Sequence, residues 1–425
     1  MTAQEVIETM YAARYTGQKV GLQNTQALLD ALHVRMTMPT VHVAGTNGKG
    51  SVCAMLESIL RCSGRKTGLY TSPFLQNYNE RIRIDGEPVS DDMIAHYGTR
   101  VLDAAKKLHD SGIIPTTFEL GTALAFLIFQ EEHVDAAVIE VGLGGRIDPT
   151  NVLTPTVSVI TAIGMDHMQY LGDTLTAIAG EKAGIIKAGV PVVASPAAID
   201  VAEVFRSTAA EKHAPLTQLR GAQIEHAVTG MTSSAADFAL ARTWKQVRIG
   251  LAGEYQLTNA LTALGAVEAL TACGADIPEQ AVYDGVAQVR WPARLEWCGQ
   301  VLLDGAHNAQ GVAALQTYVG KHLADRRRVL LTGVLEEKLH AEMLHGLTKL
   351  ADGIVTVTPD SPRAMQGEEL ARRLHACGAS VQAAGTLEEG LRLARTLAGA
   401  DGVVIAAGSL YLAGELRTLL GLPWR

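Results

Sequence analysis

The stretch that decides the fold is VHVAGTNGKGS, residues 41–51. The apolar run from Thr40 to Ala44 predicts a buried strand, and an amphipathic helix is predicted from about Gly50 to Cys62. A glycine-rich turn between a strand and a helix directs backbone N–H groups at phosphate oxygens, and the helix N-terminus adds partial positive charge. The stretch therefore predicts a phosphate-binding loop, in which Lys49 reaches the β- and γ-phosphates of a nucleotide and Ser51 ligates Mg²⁺.

The loop departs from the general GxxxxGK[ST] pattern, because its first glycine is too close to Lys49 and Gly50 stands before Ser51. A glycine turn beside a surface lysine is the plainer interpretation, and the strand–turn–helix context argues against it. The residues expected to contact the nucleotide are Thr46, Asn47, Gly48, Lys49, Gly50 and Ser51.

Apolar and amphipathic runs alternate on both sides of the loop, which predicts a doubly wound, mostly parallel α/β fold. Nearby predicted strands are Lys66 to Tyr70, Asp135 to Val141, Thr156 to Ile163 and Val190 to Ala194, and Leu175 to Lys187 is predicted helical. Residues 215–252 instead predict antiparallel hairpins, as a small lobe or an edge of the sheet. Pro292 disfavours helix in Arg290-Trp291-Pro292-Ala293. We therefore expect a nucleotide-binding domain over 1–291 and a smaller Rossmann-like α/β domain over 292–425.

The overall charge and composition narrow the classes of function. The formal net charge of −8 argues against a non-specific nucleic-acid binder. The sequence has no apolar run of 18 residues and no signal-like N-terminus, so we expect neither a membrane span nor secretion. Its five cysteines are widely spaced and form no CxxC pair, which favours a reducing, cytoplasmic compartment over a disulfide framework or a zinc ribbon.

Ligand-type residues follow two successive predicted strands. Glu140 ends one strand before the glycine-rich residues 142–145, and Asp166 and His167 follow the next. Ligands of an open parallel sheet bind at the carboxyl ends of its strands, where a carboxylate beside a phosphate loop is well placed to hold Mg²⁺. A lone histidine is most often structural, but two successive strand ends with ligand-type residues favour a functional role for it.

The loop sequence GTNGKGS resembles the nucleotide loop of the Mur ligase superfamily, in particular that of the folylpolyglutamate synthases and the related dihydrofolate synthases. Further similar segments occur in the same order: YTSPF (70–74), QLTNA (256–260), PARLE (292–296) and LDGAHN (303–308). The resemblance covers nearly the whole chain. It departs from the family at Phe74, where most members have His, and at Ala293, where the usual residue is Gly.

The resemblance implies an ATP-dependent ligase that joins L-glutamate to a folate, or to dihydropteroate, through an acyl-phosphate. It implies two Mg²⁺ ions, whose ligand positions here are Ser51, Ser72, Glu140, His167 and Lys182, the last as a carbamate formed with CO₂. It gives catalytic roles to Lys49, His167 and Lys182, and further nucleotide contacts to Asn259, Arg294 and Asp304. The substrate contacts that it implies are Arg81, Thr117, Phe118, Glu119, Ile147, Asp148 and His307. We expect a monomer that acts on small molecules.

Three alternatives stay open at this point. Another Mur-type ligase would act on a nucleotide-linked cell-wall precursor, but no added N-terminal domain for a UDP-sugar is visible before residue 45. A P-loop kinase or GTPase fits poorly, because no NKxD guanine motif is present and Gly50 interrupts the loop pattern. A non-catalytic nucleotide-binding module would not need the candidate metal ligands.

Overall fold

A computed structural model describes residues 1–13 and 21–423. The chain divides into two compact units. The first consists of Met1–Glu225, Ala236–Val247 and Thr258–Val289, and the second of His226–Ala235, Arg248–Leu257 and Arg290–Arg425. The second unit thus includes two segments that precede the domain boundary expected near residue 292. None of the helices in the described ranges combines the length and the hydropathy that a bilayer span requires.

An eight-stranded sheet forms the centre of the first unit. Its strands are β1 (Thr40–Ala44), β2 (Thr67–Tyr70), β3 (Ile82–Ile84), β4 (Glu87–Pro88), β5 (Ala136–Glu140), β6 (Val157–Ile160), β7 (Val192–Ala194) and β8 (Leu216–Gln218). They lie in the order β4-β3-β2-β5-β1-β6-β7-β8. The strands from β2 to β8 in that order pair in parallel, whereas β3 and β4 are antiparallel additions at one edge. The mostly parallel sheet predicted from the sequence is confirmed.

The helices up to residue 288 are α1 (Ala3–Ala12), α2 (Gln23–Ala31), α3 (Lys49–Cys62), α4 (Asp91–His109), α5 (Thr117–Glu131), α6 (Met168–Leu171), α7 (Leu175–Ala183), α8 (Ile199–Glu211), α9 (Glu254–Ala272) and α10 (Glu279–Gln288). Helix α5 is buried on every side from Glu119 to Phe129, which explains its nearly continuous apolar sequence. Helix α7 ends at Ala183, four residues before the predicted end. After Ala183 the N–H groups of Ile185 and Ile186 donate to carbonyl oxygens three residues back, those of Lys182 and Ala183, so the α-helical pattern stops there. The side chain of Asn151 donates to the carbonyl oxygen of Gly184 at 3.1 Å.

Residues 215–252 divide between two sheets. Strand β8 extends the large parallel sheet, whereas β9 (Ile224–Thr229), β10 (Ser234–Ala239) and β11 (Thr243–Ile249) form a three-stranded sheet of their own, in the order β11-β10-β9. The burial of β10 alternates along the strand, as expected when only one face of a sheet is covered.

The second unit contains a six-stranded sheet in the order β12-β13-β17-β14-β15-β16. Its strands are β12 (Glu296–Cys298), β13 (Val301–Leu303), β14 (Arg328–Thr332), β15 (Gly353–Thr356), β16 (Val381–Ala383) and β17 (Val403–Ala407). The helices between and after them are α11 (Ala309–His322), α12 (Ala341–Thr348), α13 (Gly367–Ala376), α14 (Leu387–Ala398) and α15 (Leu410–Leu419). All pairings are parallel except that of β12 with β13, which confirms a second α/β sheet.

Candidate active site

Four strands of the first sheet end side by side. Val43 of β1 is in register with Glu140 of β5, and Ala44 of β1 is in register with Ile160 of β6. Tyr70, the last residue of β2, is in register with Ile139 of β5. The segments that follow these strands therefore meet at one edge of the sheet: the nucleotide loop, residues 141–148, residues 161–167, and the turn that contains Ser72.

The nucleotide loop is fixed on the segment that follows β6. The backbone N–H groups of Thr46 and Asn47 donate to the carbonyl oxygen of Ala162, at 2.9 and 3.2 Å. The buried Thr161 hydroxyl donates to the carbonyl oxygen of Asn47 at 2.8 Å. Thr161 is not among the site residues predicted from the sequence. The signal that could have found it is a small polar residue directly after a strand, beside a glycine-rich loop.

Gly48 is the turning point between the loop and helix α3. Its φ of +89° lies in the left-handed region that glycine adopts without a steric penalty. A Cβ atom at Gly48 would come within 3.0 Å of Oδ1 of the buried Asn259. The first bond inside the helix runs from Val52 N–H to Gly48 O, so the preceding turn presents N–H groups that the helix itself does not use. This is the backbone arrangement that binds phosphate.

Lys182 is buried, and its side chain reaches the nucleotide loop. Its Nζ atom donates to the carbonyl oxygen of Gly45 at 2.9 Å. Burial, and then the nearby positive charge of Lys49, lowers the pKa of Lys182 to about 7, against the opposing influence of the Asp166 and Asp148 carboxylates. A large fraction of neutral amine is therefore present near pH 7, which is unusual for a lysine.

The side chains predicted to hold Mg²⁺ occupy these strand ends. Ser51 and Glu140 are buried, and the Ser72 N–H donates to Oε2 of Glu140 at 3.0 Å. His167 lies directly before helix α6 and has a left-handed φ of +52°. Its Nε2 lies 3.8 Å from Oδ1 of Asp166. Across residues 1–13 and 21–423, no group of three His, Cys, Asp or Glu side chains is placed to hold a metal ion. The predicted ligand set is not such a group of three, because it combines two hydroxyl groups, one carboxylate, one imidazole and a lysine.

Phe118 borders the segment that follows β5. A Cβ atom at Gly142 would come within 3.0 Å of the Phe118 ring, so the ring packs directly on the backbone of this segment. The Phe118 ring centroid lies 6.1 Å from that of Tyr70. Ile147, on the same segment, is 44 % exposed. The partly buried Phe118 and the exposed Ile147 therefore both present apolar surface near the edge of the sheet where the nucleotide loop lies.

Arg81 lies among aromatic rings. Its guanidinium carbon is 5.2 Å from the ring centroid of Phe74 and 5.5 Å from that of Tyr78. At these distances the guanidinium interacts favourably with both rings. Phe74 therefore packs against the predicted substrate residue Arg81 at the position where most family members have His.

Three predicted substrate contacts bind the protein's own backbone in this structure. The Thr117 hydroxyl donates to the carbonyl oxygen of Ala13 at 3.0 Å. The Glu119 carboxylate caps helix α5 by accepting from the Thr116 N–H at 2.6 Å. Asp148 accepts from the Leu143 N–H at 2.8 Å. Their assignment as substrate contacts stays a prediction.

In the second unit, Asp304 is the centre of a buried hydrogen-bond network. Its carboxylate accepts from the N–H groups of Leu295 and Ala306, each at 2.9 Å, and the Tyr255 hydroxyl lies 3.5 Å away. Burial raises the pKa of Asp304, and the Arg294 guanidinium is the largest influence against that rise. Asp304 and Arg294, both predicted to contact the nucleotide, therefore lie within electrostatic reach of each other.

The turn that carries Arg294 is held by the carbonyl oxygen of Ala293. This oxygen accepts from Nη1 of Arg294 and from the N–H of Gly305, each at 2.8 Å. Ala293 has a φ of +55°, which explains why Gly is the usual residue there in the resembled family. His307 Nδ1–H donates to the carbonyl oxygen of Gly305 at 2.8 Å, so its ring is fixed beside the same turn.

Comparison with known proteins decides the family. Residues 43–267 match the Mur ligase middle domain, and residues 293–410 match the glutamate ligase domain of Mur ligases. The chain belongs to the Mur ligase family. This Mur ligase is 34 % identical to the dihydrofolate synthase/folylpolyglutamate synthase of Bacillus subtilis, over 95 % of this chain and 96 % of the relative. It is 36 % identical to the folylpolyglutamate synthase of Lacticaseibacillus casei, over 90 % of each chain.

A solved structure agrees with the sequence relatives. The folylpolyglutamate synthase of Mycobacterium tuberculosis, in complex with ADP and AMPPCP, superimposes with a TM-score of 0.91 at 31 % identity and covers 99 % of both chains. Within the Mur ligases, this chain groups with the folylpolyglutamate and dihydrofolate synthases, and it is an ATP-dependent ligase that forms amide bonds. The family predicted from the sequence is confirmed.

Proposed function

We propose that this Mur ligase is a tetrahydrofolylpolyglutamate synthase, which adds L-glutamate to a reduced folate. The observation that carries the proposal is the common edge of the first sheet, where the nucleotide loop follows β1 and the segment beneath Phe118 follows the neighbouring β5. A folate bound against Phe118 could present its carboxylate to a nucleotide phosphate. The names of the Bacillus subtilis and Lacticaseibacillus casei relatives support a folate as the acceptor.

The proposed reaction has two steps. A carboxylate is a poor electrophile, so one of its oxygens first attacks the γ-phosphorus of ATP, and ADP leaves. The glutamate amine then attacks the carbonyl carbon of the acyl-phosphate, phosphate leaves, and the nitrogen gives up a proton to form the amide. Positioning of the reactants and neutralisation of phosphoryl charge account for most of the catalysis in reactions of this kind.

The residues of the nucleotide loop suit the first step. The N-terminal turn of α3 would bind phosphate oxygens, and Lys49 would place its charge on the β- and γ-phosphates. Hydroxyl and carboxylate oxygens are the ligands that Mg²⁺ prefers, so the buried Ser51 and Glu140 fit one ion, with Ser72 beside Glu140. A second ion would be held by His167 and modified Lys182. When bound, Mg²⁺ supplies positive charge to the phosphoryl oxygens.

The chemistry of Lys182 fits a carbamate. The lysine ammonium first loses a proton, and the neutral amine then adds to CO₂ through a new N–C bond and releases a second proton, so that a cation becomes a carboxylate-like anion. Burial lowers the pKa of Lys182 to about 7, so the reactive neutral amine is abundant at cellular pH. Lys49 would attract the anion that forms, whereas the Asp166 and Asp148 carboxylates would oppose it.

The remaining assignments rest on the family resemblance. Asn259, beside Gly48, and Arg294 with Asp304, in the second unit, would contact the nucleotide, and His307 would lie near the incoming glutamate. Domain functions follow the same assignment, with ATP binding over residues 1–291 and glutamate ligation over 292–425. A monomeric, cytoplasmic protein stays a prediction, and light scattering after size exclusion measures the first of these properties.

Dihydrofolate synthase activity is the second candidate, because the Bacillus subtilis relative is named for both activities. Dihydropteroate and tetrahydrofolate carry similar pterin ends, but dihydropteroate ends in its benzoate carboxylate, whereas tetrahydrofolate ends in a glutamate. The distance from the pterin to the reacting carboxylate therefore differs between the two acceptors, and only an assay of each acceptor decides between them.

The test uses the purified full chain with ATP, Mg²⁺ and L-glutamate, and adds tetrahydrofolate or dihydropteroate in separate reactions. We expect ADP release that requires both glutamate and tetrahydrofolate, with a product that mass spectrometry identifies as the acceptor extended by one glutamyl residue. Turnover with dihydropteroate as well would establish both activities. ADP release without an acceptor would favour a plain nucleotidase, and no turnover with either acceptor would overturn the proposal.

A further inference from the structure

A fully buried histidine lies in the strand that leads into the nucleotide loop, and the proposed chemistry does not use it. His42 is the middle residue of β1, and its Nε2 lies 2.8 Å from the hydroxyl oxygen of Thr150. Burial, and then the charge of Lys187, lowers the pKa of His42 to about 3, so the ring is neutral at physiological pH. A neutral imidazole has one donor and one acceptor nitrogen, and the direction of its hydrogen bond follows from its neighbours.

Asp148 determines that direction. The Thr150 hydroxyl also forms a short hydrogen bond with Oδ1 of Asp148. Burial raises the pKa of Asp148, but its two oxygens accept from the N–H groups of Leu143 and Thr150, and these hydrogen bonds favour the ionised carboxylate. An ionised carboxylate only accepts, so the hydroxyl donates to Asp148 and accepts from His42. The proton of His42 is therefore on Nε2. Its Nδ1 has no hydrogen-bond partner in the described part of the chain, so the hydrogen bond to Thr150 is the one that orients the ring.

Asp148 also forms hydrogen bonds with the segment that follows β5. Oδ1 also accepts from the Thr150 N–H at 3.0 Å, and Oδ2 accepts from the Leu143 N–H at 2.8 Å. Hydrogen bonds thus connect the middle of β1, through the 3₁₀ turn Pro149–Val152, to the backbone of residues 142–146. All these groups are in the first unit, and His42, Asp148 and Thr150 are buried.

The segment 142–146 lies between two parts of the candidate site. On one side its Gly142 packs under the Phe118 ring. On the other side it packs on the end of α7, since a Cβ atom at Gly145 would lie 2.8 Å from the carbonyl oxygen of Glu181 and 3.0 Å from that of Lys182. The Arg146 N–H also donates to the Glu181 carbonyl at 2.9 Å. A shift of this segment would change the position of Phe118 relative to Lys182.

We propose that His42 and Thr150 are positioning residues, which act through Asp148 to hold residues 142–148 in place beside the nucleotide loop. The proposal rests on the proposed function only in assigning the acceptor to the Phe118 side of this segment. Since the network fixes that segment and not the phosphate-binding turn, its loss should impair use of the folate far more than binding of ATP.

The test compares two substitutions at Thr150. Thr150→Val keeps the shape of the side chain but removes the hydroxyl, so Asp148 loses a donor and His42 loses its acceptor. Thr150→Ser keeps the hydroxyl and should retain the network. Thr67→Val is the matched control, because Thr67 is also fully buried and donates to a carboxylate, that of Glu57, at 2.7 Å, but it lies at the start of β2.

Two readouts are measured on the full chain. In Thr150→Val, kcat/KM for the folate should fall about tenfold to hundredfold, as expected for misplacement of a substrate-binding segment, while KM for ATP changes less than about twofold. Amide hydrogen exchange in peptides that span 142–148 should become faster. Thr150→Ser and Thr67→Val should show neither effect, although Thr67→Val loses thermal stability.

Other outcomes overturn the inference. Unchanged exchange over 142–148 in Thr150→Val, or equally fast exchange there in Thr67→Val, would mean that the network does not hold this segment. Equal losses in folate and ATP constants would indicate general destabilisation. If the wild-type chain turns over neither tetrahydrofolate nor dihydropteroate, the proposed function fails. The exchange measurement needs no substrate and still decides the positioning role.

Discussion

Nζ of Lys182 donates a hydrogen bond to the carbonyl oxygen of Gly45 at 2.9 Å, and so connects helix α7 to the first residue of the nucleotide loop. Lys182 is buried, so neighbouring atoms restrict the conformations that its side chain can adopt. The lysine that we propose as a carbamate ligand of the second metal ion therefore contacts the loop that would carry the nucleotide.

Added short carboxylic acids should partly restore the activity that is lost when Lys182 is replaced. We expect Lys182→Ala to reduce kcat by about 10²–10³-fold, as for removal of one preorganised electrostatic group, and added short carboxylic acids to restore part of the activity by filling the vacated space. Turnover measured against acid concentration checks this. Lys182→Arg is the matched control, because its guanidinium fills the space and forms no carbamate; it should stay inactive with acid. Absence of rescue in Lys182→Ala would leave the carbamate unsupported.

Lys49 should be essential for turnover but not for folding. Its Nζ lies 3.3 Å from the carbonyl oxygen of Thr46, within the loop, where its charge can meet the phosphates. We expect Lys49→Ala to lower kcat by about 10³-fold with an unchanged circular dichroism spectrum. Lys66→Ala is the matched control. Lys66 lies directly before β2 and its side chain contacts Glu132, so its loss should leave activity at the wild-type level. Full activity in Lys49→Ala would contradict the assignment of the nucleotide loop.

Gly48 and Gly64 form a matched pair for testing the phosphate-binding turn. Both have left-handed φ values, +89° and +85°, so alanine at either position should cost about 1–2 kcal/mol of stability. Only at Gly48 does the added methyl group also collide with Asn259, because no atom lies within 4 Å of a Cβ at Gly64. We expect the melting temperature to fall in both variants, and further in Gly48→Ala because of this collision, but a raised KM for ATP in Gly48→Ala alone. Equal KM values would argue against a tight fit at this turn.

Burial of His42 should make stability depend on pH. The unfolded chain protonates this ring near its ordinary pKa of 6.5, whereas the folded chain does so only at about 3. Between these values unfolding takes up one proton, so the free energy of unfolding falls by about 1.4 kcal/mol for each unit that the pH is lowered. Urea unfolding at pH 4.5, 5.5 and 7 should show this slope in the wild type and lose it in His42→Gln. Parallel curves for the two proteins would refute it.

Local patterns in the sequence were sufficient to predict the strand and the helix that flank residues 45–48, and the ends of the neighbouring strands. The glycine spacing before Lys49 and the residues at the end of β5 and after β6 are each read within about ten positions. The cap formed by Thr116 and Glu119 was also readable, because Thr-x-x-Glu before an apolar run is a capping signature. A substrate role was assigned to Glu119 instead from resemblance.

Contacts between distant parts of the chain could not be predicted. His42 and Thr150 are separated by 108 positions, and neither residue has a local pattern that names its partner. The contact just after α7 is of the same kind, because Asn151 is 33 positions from Gly184, to whose carbonyl oxygen it donates. Such pairs arise from the order of strands in the sheet, and periodicity along one segment does not determine that order.

The second unit is assembled from three stretches of sequence, which limits how the protein can be divided. Tyr318 donates its hydroxyl to the carbonyl oxygen of Met231 at 2.7 Å, and Lys321 pairs with Glu254 at 3.1 Å. A truncated gene that starts at codon 290 would encode neither of these partners. Expression of that piece alone should give an unstable polypeptide, and a single proteolytic nick near residue 290 should not release an autonomous fragment.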